Sequence, residues 1–287
     1  MRGRPAQHEV QVPATLGAAL DLLAREPGEW TALAGGTDLM VVYEAGGLTA
    51  LRLLSLWGLD ELRGIRETPT HVEIGALTTY TEIQRHDVIR ARFPSLAQAG
   101  RETGGIAIQS RGTLGGNIAN ASPAADSPPA LLVYDAELEL ASKSGTRRLP
   151  YHGFHTGYKQ TLRRPDELIR AVLLPLPAGP RADFYRKVGT RKAQAISKVV
   201  LAGTASRDAA GRILNPRLAL GSVAPTTVRC LRAEAEIAGK IVTPALIAAA
   251  GLALRRDIAP IDDIRSTREF RLAVAANLLR AFLEGLA

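Results

Sequence analysis

Only one of the 287 residues is a cysteine, Cys230, and that single thiol limits the fold more than any motif does. One thiol cannot make an internal disulfide, a cysteine-rich zinc site or a self-contained iron–sulfur cluster. The chain must therefore be held by an ordinary apolar core, and any redox chemistry must rest on an organic cofactor. Length allows such a core and two domains to share it. The 46% hydrophobic and 22% charged content is that of an ordinary globular protein. No stretch approaches the roughly 18 unbroken apolar residues of a membrane span. The N-terminal MRGRPAQHEVQVP has two arginines with no apolar run behind them, the opposite of a secretory signal. A cytoplasmic location is the expectation.

Hydrophobic periodicity and turn residues divide the chain into alternating helices and strands. TLGAALDLLARE, opening at Thr15, has a capping residue, an apolar face at Leu16, Ala19, Leu20 and Leu23, and a stop at Pro27-Gly28. WTALA then reads as a short buried strand running into Gly35-Gly36. HVEIGALTTYTEIQR predicts a strand and a helix, and ARFPSLAQAGRETG continues helical into a second glycine-rich run. NIANASPAADSPP is expected to be a long functional loop of small residues, and ALLVYDAELEL a strand. LIRAVLLPLPAGP ends a strand in a Pro/Gly cluster, which sets the expected domain boundary. Beyond it KVVLAGTASRDAAGRILNPRLALGSVA reads as strand, turn, strand. Three helices follow, the last opening with a capping box from Ser266 to Glu269. The predicted class is α+β, with residues 1–177 as one domain, subdivided near 60, and residues 178–287 as a second with an antiparallel sheet under helices.

A net charge of +8 and a pI near 10.0 invite a nucleic-acid reading. The arginines are scattered, however (Arg52, Arg63, Arg101, Arg163, Arg212, Arg255), and aromatics are only 5%, too few to predict a stacking platform. An acidic protein partner is the plainer account. No two glycines are separated by a single residue, so the dinucleotide fingerprint G-x-G-x-x-G is excluded. The one Gly-Lys pair, Gly239-Lys240, lacks the following Ser or Thr of a phosphate-binding P-loop. No catalytic dyad or triad stands out. His152 and His155 lie three apart without an acidic or cysteine cluster beside them, weak evidence for a metal.

What remains are two glycine pairs beside threonines: AGGTD (Ala34, Gly35, Gly36, Thr37, Asp38) and TLGGN (Thr113, Leu114, Gly115, Gly116, Asn117). Each offers N–H groups unobstructed by Cβ atoms, with Thr37, Thr113 and Asn117 as side-chain donors suited to phosphate oxygens. On residues alone they are two tight turns or the two holds on one pyrophosphate. Asp126 is equally a ribose acceptor or a helix cap.

AGGTDLM, IGALTTYTEI, RGTLGGNIANASPAAD, PDELIRAVLLP and YRKVGTRKAQAISKV, in that order, resemble the FAD-binding medium subunit of the molybdenum hydroxylases, the xanthine dehydrogenase and carbon monoxide dehydrogenase group. The resemblance runs over essentially the whole chain. It implies a PCMH-type FAD-binding domain of two α/β subdomains followed by the C-terminal domain. It assigns the FAD pyrophosphate to Ala34 through Asp38 and Thr113 through Asn117, and gives Asp126, Ile169 and Lys187 further contacts with the cofactor. The stretch Thr190 to Lys198 falls near the isoalloxazine in relatives, without assignable roles. Implied partners are a small subunit with two [2Fe-2S] clusters and a large molybdopterin subunit, assembled as a dimer of heterotrimers. Electrons would pass from those clusters through FAD to NAD+ or another acceptor. The Thr-Asp ending of the first loop is closer to the xanthine dehydrogenase side, and a lone Cys230 is against the benzoyl-CoA reductase branch, whose flavin subunit carries a cluster. Two alternatives stay open: a self-sufficient FAD oxidoreductase of the same fold, and a basic nucleic-acid-binding module without cofactor.

Overall fold

A computed structural model describes residues 7–191 and 194–287. Residues 1–6, which hold the start of the basic N-terminus, and residues 192–193, inside the segment beside the expected isoalloxazine site, lie outside the described residues.

The first stretch comprises β1 (Glu9–Gln11), α1 (Leu16–Arg25), β2 (Thr31–Leu33), α2 (Leu39–Glu44) and β3 (Arg52–Ser55). The three strands form a parallel sheet in the order β1-β3-β2. Helix α1 forms where its periodicity places it. Thr15 Oγ1 accepts from the N–H of Ala18 at 3.1 Å, and Ala19, Leu20 and Leu23 are buried against Trp30, Leu54 and Leu59. Leu20 and Leu23 each contribute about 1.5–3 kcal/mol by leaving water. Gly28, at φ +85°, turns the chain into β2.

The second stretch contains β4 (Ile65–Glu67), β5 (His71–Gly75), α3 (Tyr80–Arg85), α4 (Asp87–Arg92), α5 (Pro94–Glu102), α6 (Ile106–Gln109), α7 (Leu114–Asn120) and α8 (Ser127–Val133). It continues through β6 (Glu137–Ser142), β7 (Gly145–Pro150), β8 (His155–Gly157), β9 (Gln160–Thr161) and β10 (Leu168–Pro175). β4, β5, β10, β6 and β7 form one antiparallel sheet in that order, while β8 and β9 pair separately. Val72, Ile74, Leu138, Leu140, Val172 and Leu174 are buried with residues of α3, α4, α5, α7 and α8 in the main core. Helix α3 opens with a capping box, Thr79 with Glu82.

The segment expected as one long loop folds otherwise. Thr113 caps α7, and the two prolines at the start of α8 suit a first helical turn, whose N–H groups need no intrahelical acceptor. Only residues 121–126 remain as connection. ALLV, expected in a strand, belongs to α8, and the strand β6 begins at Glu137.

The third stretch runs through β11 (Ala182–Val188), β12 (Val199–Arg207), β13 (Ile213–Gly221), β14 (Val228–Arg229), α9 (Leu231–Ile237), α10 (Pro244–Arg255) and α11 (Arg268–Glu284). Its four strands are antiparallel in chain order. Their apolar face and the helices share a core that includes Leu201, Leu218, Leu254 and Phe282. The cap of α11 is Thr267, whose hydroxyl accepts from the N–H of Phe270 at 3.2 Å, and not Ser266. The fold is mixed α+β, as expected, with one parallel sheet among the antiparallel ones. No helix among the described residues is long and apolar enough to cross a membrane.

Candidate functional site

Between the parallel sheet and the five-stranded sheet lies a cleft of about 640 Å³, within the range of small-molecule and cofactor sites. Of the residues singled out in the sequence, Ala34, Gly35, Gly36, Thr37, Asp38, Thr113, Gly115, Gly116, Asn117 and Ile169 line it. Leu114 is buried in the core behind it. Asp126 and Lys187 pair with one another outside the lining.

The two glycine loops meet, and each glycine pair has its own reason. β2 ends at Leu33, and a Cβ on Gly35 would stand 1.7 Å from the carbonyl oxygen of Arg111. Only glycine allows the first loop to lie on the backbone that leads into the second. Gly36 takes φ +78°, a conformation that disfavours a side chain. In the second loop Gly115 donates to the carbonyl of Ala76 at 2.8 Å, and a Cβ there would meet the Ala76 Cβ at 2.5 Å. Gly115 thus seats α7 directly on the chain after β5.

Donor capacity is unequal between the loops. Among the described residues, no acceptor takes the N–H groups of Gly35, Gly36, Thr37 or Asp38, so four successive donors line the cleft unpaired. The N–H groups of Leu114, Gly115, Gly116 and Asn117 are instead accepted by Thr78 O, Ala76 O, Thr113 Oγ1 and Thr113 O at 3.0, 2.8, 3.1 and 3.0 Å. The sequence-based expectation that both loops offer free N–H groups holds only for the first. The second contributes a side chain. Ser127 Oγ donates to Asn117 Oδ1 at 2.8 Å, which orients the amide so that Nδ2 has no partner among the described residues. Asn120 Nδ2 donates to Asp38 Oδ1 at 3.1 Å and ties the end of α7 to the first loop.

Asp126 occupies the cap position of α8, yet its side chain makes no capping bond. Lys187 Nζ, on β11, donates to Asp126 Oδ2 at 2.7 Å and to Glu102 O at 2.8 Å. Ser197 Oγ donates to Asp126 Oδ1 at 2.6 Å, and Tyr185 to the Asp126 carbonyl at 3.1 Å. Burial pushes the Asp126 carboxyl up, and Lys187 opposes that shift without reversing it. Of the two roles left open for its side chain, the capping one is therefore gone.

Tyr80 lines the cleft with its hydroxyl 3.1 Å from Ser127 Oγ, and burial raises its phenol. His155 Nε2 donates to the Ile118 carbonyl at 2.8 Å, and burial lowers its imidazole. Sequence reasoning missed Trp30, Tyr80, Arg163 and Leu168 as lining residues. All four sit within stretches read as ordinary core, strand or scattered charge, and none carries a local signature.

Residues 6–177 match the model of the FAD binding domain in molybdopterin dehydrogenase, and residues 184–286 that of the CO dehydrogenase flavoprotein C-terminal domain. The chain belongs to this FAD-binding flavoprotein family. Among relatives of the family, the xanthine dehydrogenase FAD-binding subunit of Escherichia coli O157:H7 is 33% identical over 269 residues, 93% of this chain and 91% of that protein. The carbon monoxide dehydrogenase medium chain of Hydrogenophaga pseudoflava is 29% identical over 282 residues, 97% and 96% of the two chains. The solved structure of carbon monoxide dehydrogenase from Hydrogenophaga pseudoflava superposes with a TM-score of 0.92 at 29% identity, covering 97% of this chain and 96% of that one. Quinoline 2-oxidoreductase from Pseudomonas putida 86 gives 0.90 at 25% identity, with 97% and 96% covered.

The family's cofactor is FAD, and the residues present fit it. The cleft has cofactor size, four unpaired N–H groups suit a pyrophosphate, and Gly35 lets the loop that carries them pack directly on the Arg111 backbone.

Proposed function

We propose that this chain is the electron-transfer subunit of a multi-subunit molybdenum hydroxylase of the xanthine dehydrogenase type. It would receive electrons from the [2Fe-2S] clusters of a small subunit, reduced in turn by a molybdopterin subunit, and pass them to NAD+ or another acceptor. A dimer of heterotrimers in the cytoplasm, and a division of the chain near residue 177, belong to the same reading. The observation that carries it is the run of unpaired N–H groups from Gly35 to Asp38 in the lining of the cleft. Anionic oxygens gain charge-assisted hydrogen bonds there without displacing any internal partner.

Bound FAD supplies the exchange between one-electron carriers and a two-electron acceptor. The protein's own residues bind and orient it. Gly35, Gly36, Thr37 and Asp38 would donate to the pyrophosphate from one side. Thr113 and Asn117 would add a hydroxyl and an amide from the other, with Ala34, Leu114, Gly115 and Gly116 shaping the contact. Ile169 would pack on the cofactor, and the Asp126–Lys187 pair would hold β11 against the α7–α8 connection beside it. Two protein sides around one diphosphate exclude water and fix the direction of the cofactor along the cleft.

An absorbance spectrum of the protein purified from its own host, before and after heat release of cofactor, tests the reading. Flavin bands that leave as FAD, with iron and molybdenum subunits in the same preparation, are the expected result. A colourless chain without partners would overturn it.

A further inference from the structure

The Asn117 side chain can serve a phosphate only if its nitrogen, and not its oxygen, faces the cleft, and side chains on two other helices decide which. Asn117, in α7, lines the cleft, as does Tyr80, in the first turn of α3. Ser127, the first residue of α8, is fully buried and stands outside the lining. Its Oγ lies 2.8 Å from Asn117 Oδ1 and 3.1 Å from the Tyr80 hydroxyl. Main-chain bonds fasten the start of α3 to that of α7: the Tyr80 N–H donates to Gly112 O at 3.1 Å and the Leu114 N–H to Thr78 O at 3.0 Å.

Counting protons gives this chain of side chains one direction. Each hydroxyl has one proton to give, and the amide oxygen has none. With Tyr80 donating to Ser127 and Ser127 donating to Asn117 Oδ1, both protons find an acceptor. With Asn117 Nδ2 turned to Ser127 instead, the two hydroxyls have only each other to give to, and one proton is left over. Among the described residues neither hydroxyl has a further partner. Tyr80 is 2% exposed and Ser127 0%, which shuts out bulk water, and a buried donor left unpaired carries its full desolvation penalty. Burial also raises the Tyr80 phenol, so its proton stays on the oxygen through the neutral range.

Resting on the FAD reading above, we propose that Tyr80 and Ser127 are positioning residues that fix the direction of the Asn117 amide and turn its N–H pair toward the cofactor pyrophosphate. Neither hydroxyl has to touch a phosphate. With Oδ1 held on the buried side, Nδ2 is the atom left for the cleft, which the free N–H groups of Gly35 to Asp38 also line. An oxygen in its place would face the phosphate charge.

The test measures FAD and ADP binding to the full chain stripped of flavin, by equilibrium dialysis. Asn117→Ala should bind both about ten- to a hundredfold more weakly, the loss of one charge-assisted hydrogen bond. Asn117→Asp, which puts an oxygen where Nδ2 stands, should bind more weakly still. Tyr80→Phe keeps the ring and its packing and removes only the hydroxyl. It and Ser127→Ala should each weaken binding about two- to tenfold, the size of a neutral hydrogen bond. In the Asn117→Ala background both should cost nothing further, because residues that act only through the amide have no target once it is gone. Additive losses would mean that Tyr80 and Ser127 only shape the cleft, and would overturn the proposal. Full affinity in Ser127→Ala would do the same. So would an Asn117→Asp chain that binds FAD as tightly as the unmodified one, since the amide oxygen would then be the atom facing the ligand. An unmodified chain that binds neither FAD nor ADP would bring down the cofactor reading and this proposal with it.

Discussion

A methyl group at position 35 would sit inside the van der Waals surface of the Arg111 carbonyl oxygen, at 1.7 Å, with the carbonyl carbon at 2.6 Å. Backbone cannot rotate away as a side chain can, so Gly35→Ala must push the two loops apart. The expected result is loss of FAD retention together with a destabilisation of about 1–3 kcal/mol, typical of overpacking. Flavin content and the urea midpoint read both effects. Gly17→Ala is the control, because its Cβ would meet nothing closer than Thr15 Oγ1 at 3.8 Å and a helix gains from alanine. Stoichiometric FAD in Gly35→Ala would sink the idea that contact between the loops forms the cradle. At this scale the sequence marked the right positions for a partly wrong reason. Two glycine pairs look alike in sequence, yet the first frees N–H groups and the second brings a helix close to Ala76. The difference depends on which carbonyls lie opposite, and residues distant in sequence provide those. Arg163 was illegible for the same cause: the Arg163-Arg164 pair in a loop carries no sign that the nearby Glu167 carboxylate is already taken by Arg147.

Helices and strands with strong local signals, such as α1 with Thr15 and β10 ending in its Pro/Gly cluster, were legible. The stretch from Thr113 to Val133 was not, because small residues and prolines resemble a loop unless Thr113 and the paired prolines are seen as helix starts. Illegible as well was a charge ladder with one residue on each strand of the five-stranded sheet. Arg66 on β4 meets Glu73 on β5 at 2.9 Å, and Glu73 meets Arg170 on β10 at 3.3 Å. Arg170 donates to Glu139 on β6, and Glu139 accepts from Arg148 on β7 at 2.9 Å. The register shifts between Ile169 and Ala171. That irregularity falls at Arg170, in the ladder, and beside Ile169, in the cleft. Burial alone would raise the Glu139 carboxyl, but hydrogen bonds and charge from Arg170 and Arg148 outweigh it and hold it below the usual glutamate range. A depressed folded value means that the stabilisation is present above about pH 4.3, the unfolded value, and is lost as pH falls through the folded one. Glu139→Gln should therefore cost about 1–3 kcal/mol at neutral pH and almost nothing near pH 2. Urea midpoints at the two pH values decide it; an equal deficit at both would show that packing, not charge, holds the ladder.

Across the whole molecule, the pair Asp126–Lys187 joins the sheet of β11 to β14 to the cofactor-binding part. Side chains on both sides of the pair are buried, with 4% of Lys187 and 10% of Asp126 exposed. Breaking such a pair from one side leaves an uncompensated charge, at a cost of about 3–5 kcal/mol. Lys187→Met tests the joint and gives a sign that simple loss of packing would not. Burial already raises the Asp126 carboxyl, and Lys187 is the charge that opposes it. Without the lysine the folded value rises further above the unfolded one, about 3.9. A raised folded value makes the contribution fully present below the unfolded value and lost as pH rises through the folded one. The stability gap between Lys187→Met and the unmodified chain should therefore be smallest near pH 4 and widen toward pH 8. A gap that stays constant would mean that Lys187 acts through its alkyl chain alone. A gap that widens, with FAD retained at pH 4 and released as pH rises, would show that the same ion pair joins the two parts and keeps the cleft in its binding shape.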